Sequence, residues 1–135
     1  MPAGYSGTPL AKKLGLKAGQ KVHLVNAPSY YFDLFDEIPE MEIITDLGET
    51  VDFIHLFSKQ EKELKASFPR LKERLAMNGL IWVSWPKKAA KVATDVTEAI
   101  VRKTGLDNGL VDVKICAVDP TWSGLKFVYR TKDRS

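Results

Sequence analysis

The stretch Val51–Trp85, VDFIHLFSKQEKELKASFPRLKERLAMNGLIWVSW, decides the fold because its hydrophobic period changes twice. Val51 to Phe57 is a short run dominated by apolar residues, the length of a buried strand. From Lys59 to Ala76 the apolar residues Leu64, Phe68, Leu71 and Leu75 recur at helical spacing, with Ser58 placed as the cap. Pro69 lies inside this segment and predicts a kink or two short helices, because proline removes one backbone donor. Asn78-Gly79 is the expected end. Leu80 to Trp85 then runs apolar almost without interruption, as a central strand covered on both faces must. Strand, helix and strand in this order predict two parallel strands and a crossover.

The same alternation continues on both sides. Upstream, Thr8-Pro9 opens a short helix that Gly15 ends, and Lys21 to Asn26 (KVHLVN) reads as a buried strand stopped by Pro28. Ser29 to Glu37 carries Tyr31, Leu34, Phe35 and Ile38 at helical spacing, and Met41 to Thr45 is a short strand. Downstream, Pro86 to Ala93 is a loop with Lys87, Lys88 and Lys91. Thr94 or Asp95 caps a helix running to about Lys103, with Glu98 as capping-box partner and Gly105 as the stop. Val111 to Val118 and Leu125 to Tyr129 form a terminal antiparallel hairpin. The expectation is α/β: a three-layer Rossmann-like sandwich on a mostly parallel sheet of about six strands, one domain over residues 1–135.

Composition narrows the classes of function. The 135 residues carry 20 basic and 17 acidic side chains, a net charge of +3 that does not indicate nucleic acid as a partner. Cys116, His23 and His55 are too few and too scattered for a zinc site, so no metal is expected. Cys116 reads as a small buried hydrophobe within an apolar run. No segment has the length of a membrane span and Met1 to Thr8 has no apolar signal region, so a cytoplasmic location with no membrane partner is expected.

Ligands of an open parallel sheet bind beyond the carboxyl ends of its strands. Those ends fall at Asn26 to Pro28, Asp46, Ser58, Trp85 to Lys88 and Asp119 to Ser123. The helix starts at Gly4 to Thr8 and at Thr94 should point to the same edge. One rim would then hold Tyr5, Ser6, Asn26, Lys87, Lys88, Asp95, Asp119 and Trp122. The lysines would supply charge, the backbone donors around Gly7 and Thr8 would suit a phosphate or carboxylate, and Trp85 or Trp122 would stack on a ring. A plainer reading stands beside this one: loop lysines serve solubility, Asp95 caps a helix, and the tryptophans finish the core. His23 and His55 lie inside strands and read as structural. Asp95 and Asp119 share the rim without a spacing that makes them an acid/base pair. Ser6 between two glycines precedes a helix near the terminus and is no nucleophile elbow.

Two resemblances follow from particular residues. Leu71 to Trp85 (LKERLAMNGLIWVSW) and the closing pair VDVKICAVD and GLKFVY resemble the Rossmann-like S-adenosylmethionine-dependent methyltransferases, over roughly Lys21 to Arg130. That resemblance implies a nucleotide-like cofactor, with Asp46 where such enzymes place an acid for the ribose hydroxyls. Asn26-Ala27-Pro28 stands where that family has a glycine-rich turn, and Thr45 to Val51 leaves no room for its additional helix and strand. GYSGTPL at Gly4–Leu10, WPKK at Trp85–Lys88, Thr94-Asp95 and WSGLKF at Trp122–Phe127 resemble a bacterial family of small single-domain proteins, a domain of unknown function. The expected function is a non-catalytic or weakly catalytic binding domain for a small anionic or nucleotide-like ligand. The alternatives are a small methyltransferase without the usual glycines and a protein–protein interaction module. The residues identify neither a cofactor nor a catalytic group.

Overall fold

A computed structural model describes residues 9–46 and 48–134. Six strands form one sheet: β1 (Lys21–Val25), β2 (Glu42–Ile43), β3 (Val51–Phe57), β4 (Leu75–Pro86), β5 (Leu110–Ala117) and β6 (Trp122–Tyr129). Their spatial order is β2-β1-β3-β4-β6-β5. The first four are parallel, and β6 runs antiparallel between β4 and β5. Helix α1 (Leu10–Leu14) lies on one face, and α2 (Glu61–Glu73) and α3 (Glu98–Asp107) on the other. The α/β sandwich with an antiparallel C-terminal hairpin is therefore the architecture expected from the sequence.

Alternation within each strand sorts the core into two halves. On the α2 side, Ile54, Leu56, Ile81, Val83, Leu125 and Phe127 meet Leu64, Phe68 and Leu71 of α2 and Val101 of α3. On the α1 side, Val22, Phe53, Phe57, Trp82 and Trp122 meet Ala11, Leu14, Tyr31 and Phe35. Each of the large side chains contributes about 1.5–3 kcal/mol by leaving water. Ile81 to Trp85 is buried on both faces, as its unbroken apolar run requires. The Trp82 indole N–H donates to the Leu14 carbonyl at 2.7 Å and pins the C-terminal end of α1 to the centre of the sheet. Gly15 follows with φ 84°, a left-handed cap that lets the chain turn from α1 toward β1.

Several local expectations are corrected. Between Ser29 and Glu37 only Tyr31–Leu34 is helical, as one 3-10 turn. Tyr31 and Phe35 both sink into the α1-side core, and Phe35 is already extended. Pro69 does not divide α2, which continues from Glu61 to Glu73. The carbonyl that loses its donor belongs to exposed Lys65, where water can replace it. Asn78-Gly79 does not end the helix. β4 begins at Leu75, paired with Val51, and its register breaks before Phe53 meets Leu80. Thr97, not Thr94 or Asp95, caps α3, accepting from the Ile100 N–H at 3.3 Å. Gly105 sits inside α3 rather than after it, because its bare Cα faces the Phe127 ring. Cys116 is half-buried, since β5 is an edge strand and half of its length is open to solvent.

Candidate functional site

The strand order reverses between β1 and β3, so the crevice of an open α/β sheet should lie beyond Val25 and Phe57. In this chain Asn26 occupies that place with φ 57°, a left-handed conformation that asparagine tolerates better than most residues. Its side-chain amide donates to the Phe57 carbonyl at 3.4 Å, joining the ends of the two strands. The chain then makes the 3-10 turn in place of a full helix, and the buried Tyr31 anchors that turn. Tyr30, which drew no attention in the sequence, reaches across the same edge. Its hydroxyl donates to Asp119 Oδ2 at 2.7 Å, while Asp119 Oδ1 accepts from the Thr121 and Trp122 amides at 2.8 and 2.7 Å. Partial burial and the adjacent carboxylate both raise the Tyr30 pKa. A signal for this residue exists only in space, since Tyr30 and Asp119 are 89 positions apart.

Beneath the edge lies a closed polar chain. The Tyr31 hydroxyl is 2.9 Å from His55 Nδ1, and His55 Nε2 is 2.8 Å from Ser84 Oγ. All three side chains are buried, and the imidazole stacks on Phe57 with centroids 4.2 Å apart. Burial pushes the His55 pKa down to about 3 and raises that of Tyr31. A serine beside a histidine here has no route to a substrate, and the arrangement satisfies buried polar groups.

Three likenesses to solved structures concern this fold. The likeness to a methyltransferase from Aquifex aeolicus that depends on S-adenosylmethionine has a TM-score of 0.60 at 14% identity, covering 87% of this chain and 86% of that one. The precorrin-6y C5,15-methyltransferase of Geobacter metallireducens gives 0.60 at 9% identity, over 90% and 86%. The magnesium protoporphyrin IX methyltransferase of Synechocystis, solved with its S-adenosylmethionine bound, gives 0.59 at 14%, over 90% and 74%. This is the fold of the Rossmann-like methyltransferases. No protein-family model matches the sequence, and no curated protein matches it.

On that methyltransferase-like frame the predicted residues separate into groups. Asn26, Lys87, Asp119 and Trp122 stand at one edge: the Lys87 amide donates to the Thr121 carbonyl at 2.8 Å, and Pro86 pairs with Trp122. Lys88 opens a 3-10 turn there and is exposed. Burial pushes the Cys116 thiol up, against the pull of Lys114, Lys13 and Lys87, so the Lys87 charge is felt on the β5 side of the edge. Trp85 and Trp122 end on opposite faces of the sheet, 6% and 7% exposed and packed in the two halves of the core. Neither offers an open ring for stacking. Asp95 is engaged in the frame: its Oδ1 accepts from the Glu61 amide at 2.7 Å and caps α2, while Thr94 donates to the Lys59 carbonyl. Asp46 is exposed three residues beyond β2, with no hydrogen bond or ion pair among the described residues. Tyr5, Ser6, Gly7 and Thr8 lie outside the described residues. Among the described residues, Asn26, Asp46, Trp85, Lys87, Lys88, Asp95, Asp119 and Trp122 do not line the clefts at α1, at α2 and β1, or between α2 and α3. Among the described residues no cluster of histidine, cysteine and carboxylate side chains could hold a metal, and no helix is long and apolar enough to cross a membrane.

Proposed function

We propose that the chain is a binding domain on a methyltransferase-like frame, taking a small anionic or nucleotide-like ligand at the carboxyl edge of its sheet. The observation that carries this reading is the loop after β1. Glycines and a helix start normally bring backbone donors close to a cofactor at this position. Here the bond from Asn26 to Phe57 and the bond from Tyr30 to Asp119 close over the strand ends, and a 3-10 turn replaces the helix. Lys87 and Lys88 supply positive charge beside this closed edge. Two of the sequence motifs, WPKK and WSGLKF, meet at this edge, where Pro86 pairs with Trp122.

A second reading, a methyltransferase that binds S-adenosylmethionine without the usual glycines, draws on the fold likeness and on exposed Asp46 beyond β2. A thermal-shift and calorimetric screen with S-adenosylmethionine, adenine nucleotides and inorganic phosphate separates the two. A ligand that binds the folded state raises the apparent stability by mass action. The expected outcome is stabilisation by a nucleotide or phosphate, with no micromolar affinity for S-adenosylmethionine. The double variant Lys87→Ala/Lys88→Ala should lose that stabilisation while its own folding stability changes by no more than about 0.5 kcal/mol per site. Micromolar binding of S-adenosylmethionine would replace the first reading with the second.

A further inference from the structure

The segment between Ile43 and Val51 is short, and among its described residues no helix covers β1 and β2 on the α2 side. His23 and Val25, which point to that side, are left half-buried. Beside them lies a cleft of about 400 Å³, closed opposite by Ser67, Arg70, Leu71 and Arg74 of the last turns of α2. Positions 67, 70, 71 and 74 share one face of a helix. Arg70 and Arg74 lie toward the amino ends of the strands, because α2 runs antiparallel to β3 and ends where Val51 starts, while Val25 forms the end of the cleft nearer the carboxyl edge.

The chemistry of the lining is specific. Among the described residues neither Arg70 nor Arg74 has a carboxylate partner within 4.0 Å, and the one acid beside them is Glu73. Each guanidinium presents a planar fork of donors suited to an oxyanion. His23 Nδ1 lies 2.6 Å from the Ile44 carbonyl, which can only accept, so Nδ1 carries the ring proton. In the neutral form of the ring, Nε2 is then an acceptor. Val25 and Leu71 add an apolar wall. Donors for an anion, one acceptor and an apolar surface meet in a volume fit for a small molecule.

We propose that this cleft binds a small organic oxyanion that also carries a hydroxyl, held by Arg70 and Arg74, with the hydroxyl on His23 and the apolar part against Val25 and Leu71. A phosphate monoester in its monoanionic form, whose P–OH can donate, and a hydroxy-carboxylate share this chemistry. Titration of the full chain with phenyl phosphate, mandelate and benzoate, followed by two-dimensional NMR, tests it. Phenyl phosphate or mandelate should shift the His23 ring and the amides of residues 70–74 saturably, and which of the two does so identifies the anion. Benzoate, which has no hydroxyl, should bind at least about tenfold more weakly. Arg70→Ala/Arg74→Ala should weaken binding by at least about tenfold with the melting temperature unchanged. Lys87→Ala/Lys88→Ala should leave it intact, so failure here and failure at the carboxyl edge are told apart. Equal binding of benzoate, binding that survives the arginine variant, or no saturable shift from either hydroxylated probe up to about 10 mM overturns the proposal.

Discussion

The Tyr30 hydroxyl and the Asp119 carboxylate, 2.7 Å apart, tie the loop after β1 to the turn between β5 and β6 across the carboxyl ends of β3 and β4. Asp119 is shared between this bond and two amides of its own turn, so one side chain organises both sides of the edge. Tyr30→Phe removes the tie and leaves the Asp119 turn in place. Both groups are near solvent, so the expected cost is about 0.5–1 kcal/mol in urea unfolding. Amide exchange should speed up at residues 29–32, while Thr121 and Trp122 stay protected. An unchanged exchange pattern would mean that the bond does not hold the loop.

His55 makes stability depend on pH. Its pKa is about 3 in the folded state and about 6.5 when unfolded, so the unfolded state binds the proton more readily. The stabilising effect of the neutral, buried ring is complete above pH 6.5 and is lost as pH falls toward 3. In that window the slope from this residue approaches about 1.4 kcal/mol per pH unit. His55→Phe should remove this component of the slope. It also leaves the Tyr31 hydroxyl and Ser84 Oγ without their partner, at about 1–3 kcal/mol for each buried group. Urea unfolding of both proteins at pH 7 and pH 5 measures the difference. Parallel losses in the two proteins would show that the ring does not titrate as its burial requires.

Gly105 is a helix-interior glycine where alanine should destabilise. In an exposed helix the change to alanine gains about 1 kcal/mol of propensity. Here an added Cβ would lie 2.0 Å from the Phe127 ring, which is itself fully buried against Phe68 with ring centroids 5.6 Å apart. Overpacking of this kind costs about 1–3 kcal/mol and outweighs the propensity gain. Gly105→Ala should therefore unfold at lower urea concentration, and Gly105→Ala/Phe127→Leu should recover part of the loss. Stabilisation by the single change would mean that α3 can move away from the sheet.

The sequence by itself determined the sheet. Short apolar runs at Val51–Phe57 and Leu80–Trp85, with a helical period between them, leave a parallel crossover as the way to bury both, and the terminal hairpin follows from the short link at Asp119–Gly124. These features are legible because hydrophobic period is a local property of the chain. Local signals failed where a distant residue had a stronger claim. Gly105 looks like a helix stop until Phe127 is placed against it, and Asp95 looks like the cap of α3 until the Glu61 amide is brought within 2.7 Å. The carboxyl edge was partly legible, since strand direction alone puts Asn26, Lys87, Asp119 and Trp122 there. The separation of Trp85 and Trp122 onto opposite faces was not, because it depends on the register of β4 against β6. The bond from Tyr30 to Asp119, the His55 chain and the cleft between His23 and Arg70 were decided only by tertiary structure. Each joins residues dozens of positions apart, and nothing in local sequence reports which side chains the sheet will bring together.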